Sequence, residues 1–156
     1  MIALTTKELQ MKLLIVGMSL ITVFTTTALC NAEALKWDHN ENIRQAIELF
    51  HNAVTQGGMT EAETVSKDCY VNSTKGKNSQ LLEMCAAFDI TAMFIDSAAY
   101  SQPNLQRKYF QVGTVDTRLR KQLAKFGHKK KVQEEIITFW GTTTKKLLDE
   151  RNQKHE

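Results

Sequence analysis

Ser79 to Ser101, S-Q-L-L-E-M-C-A-A-F-D-I-T-A-M-F-I-D-S-A-A-Y-S, is apolar nearly all round its circumference when drawn as a helix. A helix of that kind has no face to give to water, so the segment is expected at the centre of a domain, with Pro103 stopping it. Proline occurs nowhere else, and the other apolar residues recur at helical rather than alternating spacing. The expected fold class is all-α, a compact bundle of four to six helices.

Working back from the central segment, Asn72 to Asn78, N-S-T-K-G-K-N, is polar and glycine-bearing and reads as a loop. Before it, T-E-A-E offers Thr60 as a helix cap and Glu63 as the return half of a capping box. A first helix is expected over Asn40 to Gln56, where Ile43, Ile47, Phe50 and Val54 share a face and Gly57-Gly58 ends the run. Working forward, Arg107 to Phe126 carries the stripe Val112, Val115, Leu119, Leu123 and Phe126. Gly127 follows as a helix stop, and Gly113-Thr114 offers a bend or a second cap within the element. A last helix over Lys130 to Asn152 presents Val132, Ile136, Phe139, Trp140 and Leu147 ahead of a polar tail.

Met11 to Ala32, M-K-L-L-I-V-G-M-S-L-I-T-V-F-T-T-T-A-L-C-N-A, has a basic start, an apolar core and a small residue at its end, the pattern of an export signal. Met11 is the better translation start, since M-I-A-L-T-T-K-E-L-Q fits such a signal poorly. Residues 1–32 are expected to be removed, leaving 33–156 as one helical domain that is periplasmic or secreted. The bacterial periplasm is the compartment favoured by a small helical composition. Cleavage would take Cys30 away and leave Cys69 and Cys85, an even number in an oxidising space, which are expected to bond. Two cysteines so spaced, without a nearby histidine, do not suit zinc.

Charge divides unevenly. Residues 33–104 hold five Lys/Arg against ten Asp/Glu, and residues 105–156 hold thirteen against six. Either the basic part packs on the acidic part, or Arg118, Lys121, Lys125 and the run Lys129, Lys130, Lys131 form an exposed patch for an acidic partner or an anionic envelope component. Export argues against nucleic acid, and no nucleic-acid-binding motif accompanies the lysines.

Asp89 and Asp96 interrupt the central apolar run seven residues apart. A buried carboxylate needs a partner, so the two are expected either at the helix's one solvent-facing edge or paired with Arg107, Arg118 or Arg120. The functional alternative is an acid and base pair in a small hydrolase, with backbones about 10 to 11 Å apart. The four histidines lie in separate elements, no G-x-S-x-G or phosphate-cradling glycine loop occurs, and no cofactor motif is found.

D-C at 68–69, M-C-A-A-F-D at 84–89, Asp96 and Tyr100 resemble the cysteine-bearing helical segment of small exported lysozyme-inhibitor proteins of bacteria. The resemblance spans about 33 residues and lacks that group's later cysteine and its Arg, Gln and Trp-containing C-terminal pattern. It implies an inhibitor or immunity role against a cell-wall hydrolase or secreted toxin. The leading expectation is broader: a non-enzymatic exported protein that binds another macromolecule, most simply a protein, with no stable membrane span after signal cleavage.

Overall fold

The computed structural model describes residues 37–100 and 106–154, and the expected signal over 1–32, like Pro103, lies outside them. The described chain is all-α, with four helices and one short 3₁₀ turn, and no strand occurs among the described residues. Helix α1 is His39–Gly76, α2 Ser79–Ala99, α3 Val112–Lys125 and α4 Lys130–Gln153, with the 3₁₀ turn Lys108–Phe110 leading into α3. No described helix is long and apolar enough to cross a membrane.

The central segment is α2. Leu82, Cys85, Ala86, Ala87, Phe88, Ile90 and Ala92 are all buried, and α1, α3, α4 and the 3₁₀ turn pack around it. On α1, Ile43, Ala46, Ile47, Phe50 and Ala53 face it, with the Phe50 ring set edge-on to Phe88 at 5.5 Å. Val115, Leu119 and Leu123 of α3 and Trp140, Leu147 and Leu148 of α4 close the other sides. Burying each large side chain contributes roughly 1.5–3 kcal/mol. The apolar stripes expected on the last two helices are narrower than their spacing suggests: Val112, Val132 and Phe139 are exposed.

Gly57-Gly58 ends the first helical run as expected, and a second follows at once, so that α1 is two helical stretches joined across a kink. Gly57 has φ −151° and ψ 18°, and Gly58 has φ 66° and ψ −160°. Gly58 occupies a backbone region that side chains disfavour, and a Cβ on Gly57 would come within 2.8 Å of the Glu61 side chain, so both positions call for glycine. The capping box expected beyond the break does not form. Thr60 is already helical, its hydroxyl accepts a hydrogen bond from Arg107 at 2.8 Å, and Glu63 holds Lys67 instead.

The expected loop Asn72 to Asn78 is also corrected: α1 continues to Gly76. Tertiary contacts override the polar composition there, because Ser73 is buried with its hydroxyl donated to the Tyr70 carbonyl, and Thr74 donates to Gln122 of α3 at 3.1 Å. The chain turns at Lys77, at φ 45°, where Asn78 N–H returns to the Ser73 carbonyl; Asn78 then caps α2 through Leu81 N–H. The element expected over Arg107 to Phe126 divides at Gln111, the N-terminal flank of α3, and not at Gly113-Thr114. Buried Phe110 anchors the 3₁₀ turn, which fixes where α3 begins. Gly127, at φ 85°, closes α3 as expected, with its own N–H on Ala124 and that of His128 on Leu123.

Cys69 on α1 and Cys85 on α2 are bonded, with Cα atoms 5.6 Å apart and a sequence separation of 16. The bond closes the turn between the two helices that share the largest interface. Reduction is expected to lower unfolding free energy by about 3 kcal/mol, read as a lower urea midpoint with dithiothreitol than without. An unchanged midpoint would show that the bond carries no stability.

Candidate functional site

Asp89 lies at the middle of α2 with no exposure at all. Ser66 Oγ, one helical turn before Tyr70 on α1, donates to its Oδ1 at 2.5 Å, and Tyr70 OH donates to its Oδ2 at 3.0 Å. From α3, Arg118 reaches the same Oδ2 through Nε at 2.7 Å and Nη2 at 2.6 Å. Tyr109 frames the group: its hydroxyl meets Ser66 Oγ at 3.0 Å, its carbonyl accepts from Arg118 Nη2, and its ring lies under the Arg118 guanidinium at 3.8 Å. Burial pushes the Asp89 carboxyl up from its ordinary value, while Arg118, Ser66 and Tyr70 act against that rise. Burial, and then the charge of Asp89, hold the Tyr70 hydroxyl well above the ordinary tyrosine range.

Asp89 is therefore paired with Arg118, one of the three candidate arginines, and neither it nor Asp96 lies at the solvent-facing edge that was the other expectation. Asp96, also buried, accepts the Arg107 backbone N–H at 2.8 Å through Oδ2. The two carboxylates are engaged by different partners at different points along α2. Arg120 goes elsewhere, bridging Asp116 on its own helix and Glu134 on α4, which holds the Glu134 carboxyl below its usual range.

A third buried carboxylate on α2, Glu83, is not singled out by the sequence pattern. It accepts the Trp37 indole N–H at 2.8 Å, the Trp140 indole N–H at 2.9 Å and the Asn42 amide at 2.9 Å, and it meets His39 Nδ1 at 2.6 Å. The signal available was the tryptophan count. The chain has two, each needs an acceptor when buried, and both use the same carboxylate.

The surface feature built on the Asp89 cluster is an open groove of about 540 Å³ between the second half of α1 and α3. Lys67, Val71 and Lys75 line one side, Arg118 and Lys125 the other, and Tyr109 closes an end. An adjoining hollow of about 480 Å³ shares Arg118 and Lys125 with it and adds Lys121. No acidic side chain lines either one. A groove of about 520 Å³ between α1 and α4 differs in kind, because its cations and carboxylates neutralise each other, Arg151 with Glu48 at 2.7 Å and Arg44 with Glu150 at 3.5 Å.

The patch expected from sequence is thus divided three ways. Arg118 is largely buried against Asp89, Lys121 and Lys125 line the basic surface, and Lys129, Lys130 and Lys131 stand exposed at the start of α4 without lining it. Lys67 and Lys75 join from α1; the loop expected over Asn72 to Asn78 concealed the helical spacing that brings Lys75 there. Comparison with protein-family models, with curated proteins and with solved structures finds no match. Among the described residues no group of three His, Cys, Asp or Glu side chains is placed to hold a metal ion.

Because the folded Asp89 carboxyl is raised above 3.8, its contribution to stability is fully present below that value and is lost as pH rises through the folded value. Arg118→Met removes the cation that opposes this loss. The variant is expected to be about 3–5 kcal/mol less stable than wild type near pH 7, with the deficit shrinking towards about pH 4 as Asp89 takes up a proton. Urea unfolding at both pH values measures it; a deficit that is the same at both would contradict the assigned role of Arg118.

Proposed function

We propose that this chain is an exported, non-enzymatic helical protein of the bacterial periplasm that acts by binding another macromolecule. The observation carrying the reading is the groove between α1 and α3, where Lys75, Lys125 and neighbouring Lys121 stand over an apolar and aromatic wall with no lining carboxylate, beside Lys67, which Glu63 holds. Such a surface raises the local concentration of an anionic partner and orients it on approach. The Cys69–Cys85 bond supports export, since disulfides persist mainly in oxidising compartments.

The hydrolase alternative asks Asp89 and Asp96 to act on one substrate. Asp89 is fully buried with both oxygens already accepting hydrogen bonds, and Asp96 serves the Arg107 backbone, so neither geometry favours that chemistry.

Expression of the full chain in its native host with a C-terminal tag tests the reading. The protein is expected in the soluble envelope fraction, oxidised at Cys69 and Cys85, and on affinity capture at low salt it is expected to retain a macromolecule that elutes as salt rises. Recovery from the cell interior as unprocessed, reduced chain, or capture of nothing at low salt, would overturn it.

A further inference from the structure

The groove has a more specific chemistry than positive charge, and from it we infer that its occupant is an acidic segment of a partner protein bearing an apolar side chain between its carboxylates. This rests on the reading of the chain as a binding protein and names the partner class for the same site. Lys67, Val71 and Lys75 follow one another at single-turn spacing along α1, and Arg118, Lys121 and Lys125 run along α3. Each row is about 10–12 Å long, the reach of two helical turns or about four extended residues.

Between the lysines of the first row stands Val71, 63 % exposed, the most exposed of the large apolar side chains among the described residues. It shares the groove with Tyr109 and Tyr70. A polyphosphate or a nucleic-acid backbone offers nothing apolar to this wall, and the Tyr109 ring is already stacked by Arg118, which removes a platform for a base. A bilayer presents a broad, flat surface, whereas the lysines here border a concave groove with Val71 and Tyr109 between them. A peptide with carboxylates flanking an aliphatic side chain satisfies both components at once.

The groove is also fixed before anything binds. Thr74 on α1 is tied to Gln122 on α3 at 3.1 Å, and Arg118 is held by Asp89 and the Tyr109 carbonyl. Little ordering is left to be done on association, which favours recognition of a short segment. Lys75, Lys121 and Lys125 have no carboxylate partner among the described residues, so an incoming carboxylate displaces none.

Fluorescence anisotropy at low salt, using the processed protein and a labelled peptide in which glutamates flank central leucines, tests this. Lys75→Glu with Lys125→Glu is expected to weaken binding about tenfold or more, and Val71→Asp to weaken it as well. Lys130→Glu with Lys131→Glu, the same change in net charge outside the groove, is expected to stay within about twofold. Circular dichroism confirms that the variants fold, and Lys75→Gln with Lys125→Gln replaces the reversal should it not. Equal loss from the two reversals, equal binding of the glutamine version of the peptide, or groove-dependent binding of phosphatidylglycerol vesicles or polyphosphate with no peptide binding would each overturn the inference. In the native host, a macromolecule retained in full by both wild type and Lys75→Glu/Lys125→Glu would sink the groove assignment and leave the binding reading standing. Retention of nothing by wild type would sink the reading itself.

Discussion

Of the three carboxylates buried along α2, Glu83 and Asp89 each draw donors from two other parts of the fold, and neither could stay there without them. An uncompensated carboxylate in a core costs several kcal/mol, whereas one surrounded by donors is tolerated and demands a particular geometry. Glu83 draws its donors from the entry to α1, through Trp37, His39 and Asn42, and from α4, through Trp140. Asp89 draws its own from the second half of α1, through Ser66 and Tyr70, and from α3, through Arg118. Every other helix is thereby tied to α2 at a polar point. A helix apolar all round offers packing partners little reason to choose one rotation over another; the two acids supply that reason.

The same constraint shapes the surface. Drawing Arg118 inward to Asp89 pulls α3 against the second half of α1 and leaves a cleft whose rims are lysines and whose wall is Val71 and Tyr109. The acidic excess of residues 33–104 and the basic excess of 105–156 therefore meet only in part. Arg118 finds Asp89 and Arg151 finds Glu48, but Lys75 and Lys125 face the groove and Lys121 the adjoining hollow. The binding surface follows from how the core is satisfied.

Much of the fold was legible because it rests on local signals. The continuous apolar run of α2, the Gly57-Gly58 interruption, the stop at Gly127 and the cysteine pair each follow from backbone or composition rules that need no tertiary information. What was not legible depends on contacts across the chain. Asn72 to Gly76 stay helical because Ser73 is buried and Thr74 bonds to Gln122, 48 residues away. Glu83 reads as an ordinary polar interruption until Trp37 and Trp140 arrive from opposite ends of the domain. Of the site, Arg118, Lys121 and Lys125 were visible as charge on one helix, while Lys75 required α1 to stay helical through Asn72 to Gly76.

If the two acids organise the bundle around α2, that helix should be the last part of the molecule to open. Native-state hydrogen exchange followed by NMR measures this directly. The amides from Cys85 to Ala92 and the indole N–H protons of Trp37 and Trp140 should exchange only through global unfolding, with one common opening free energy. Exchange of the α2 amides by local opening while α1 and α4 stay protected, or indole protons exchanging as fast as surface groups, would contradict the account.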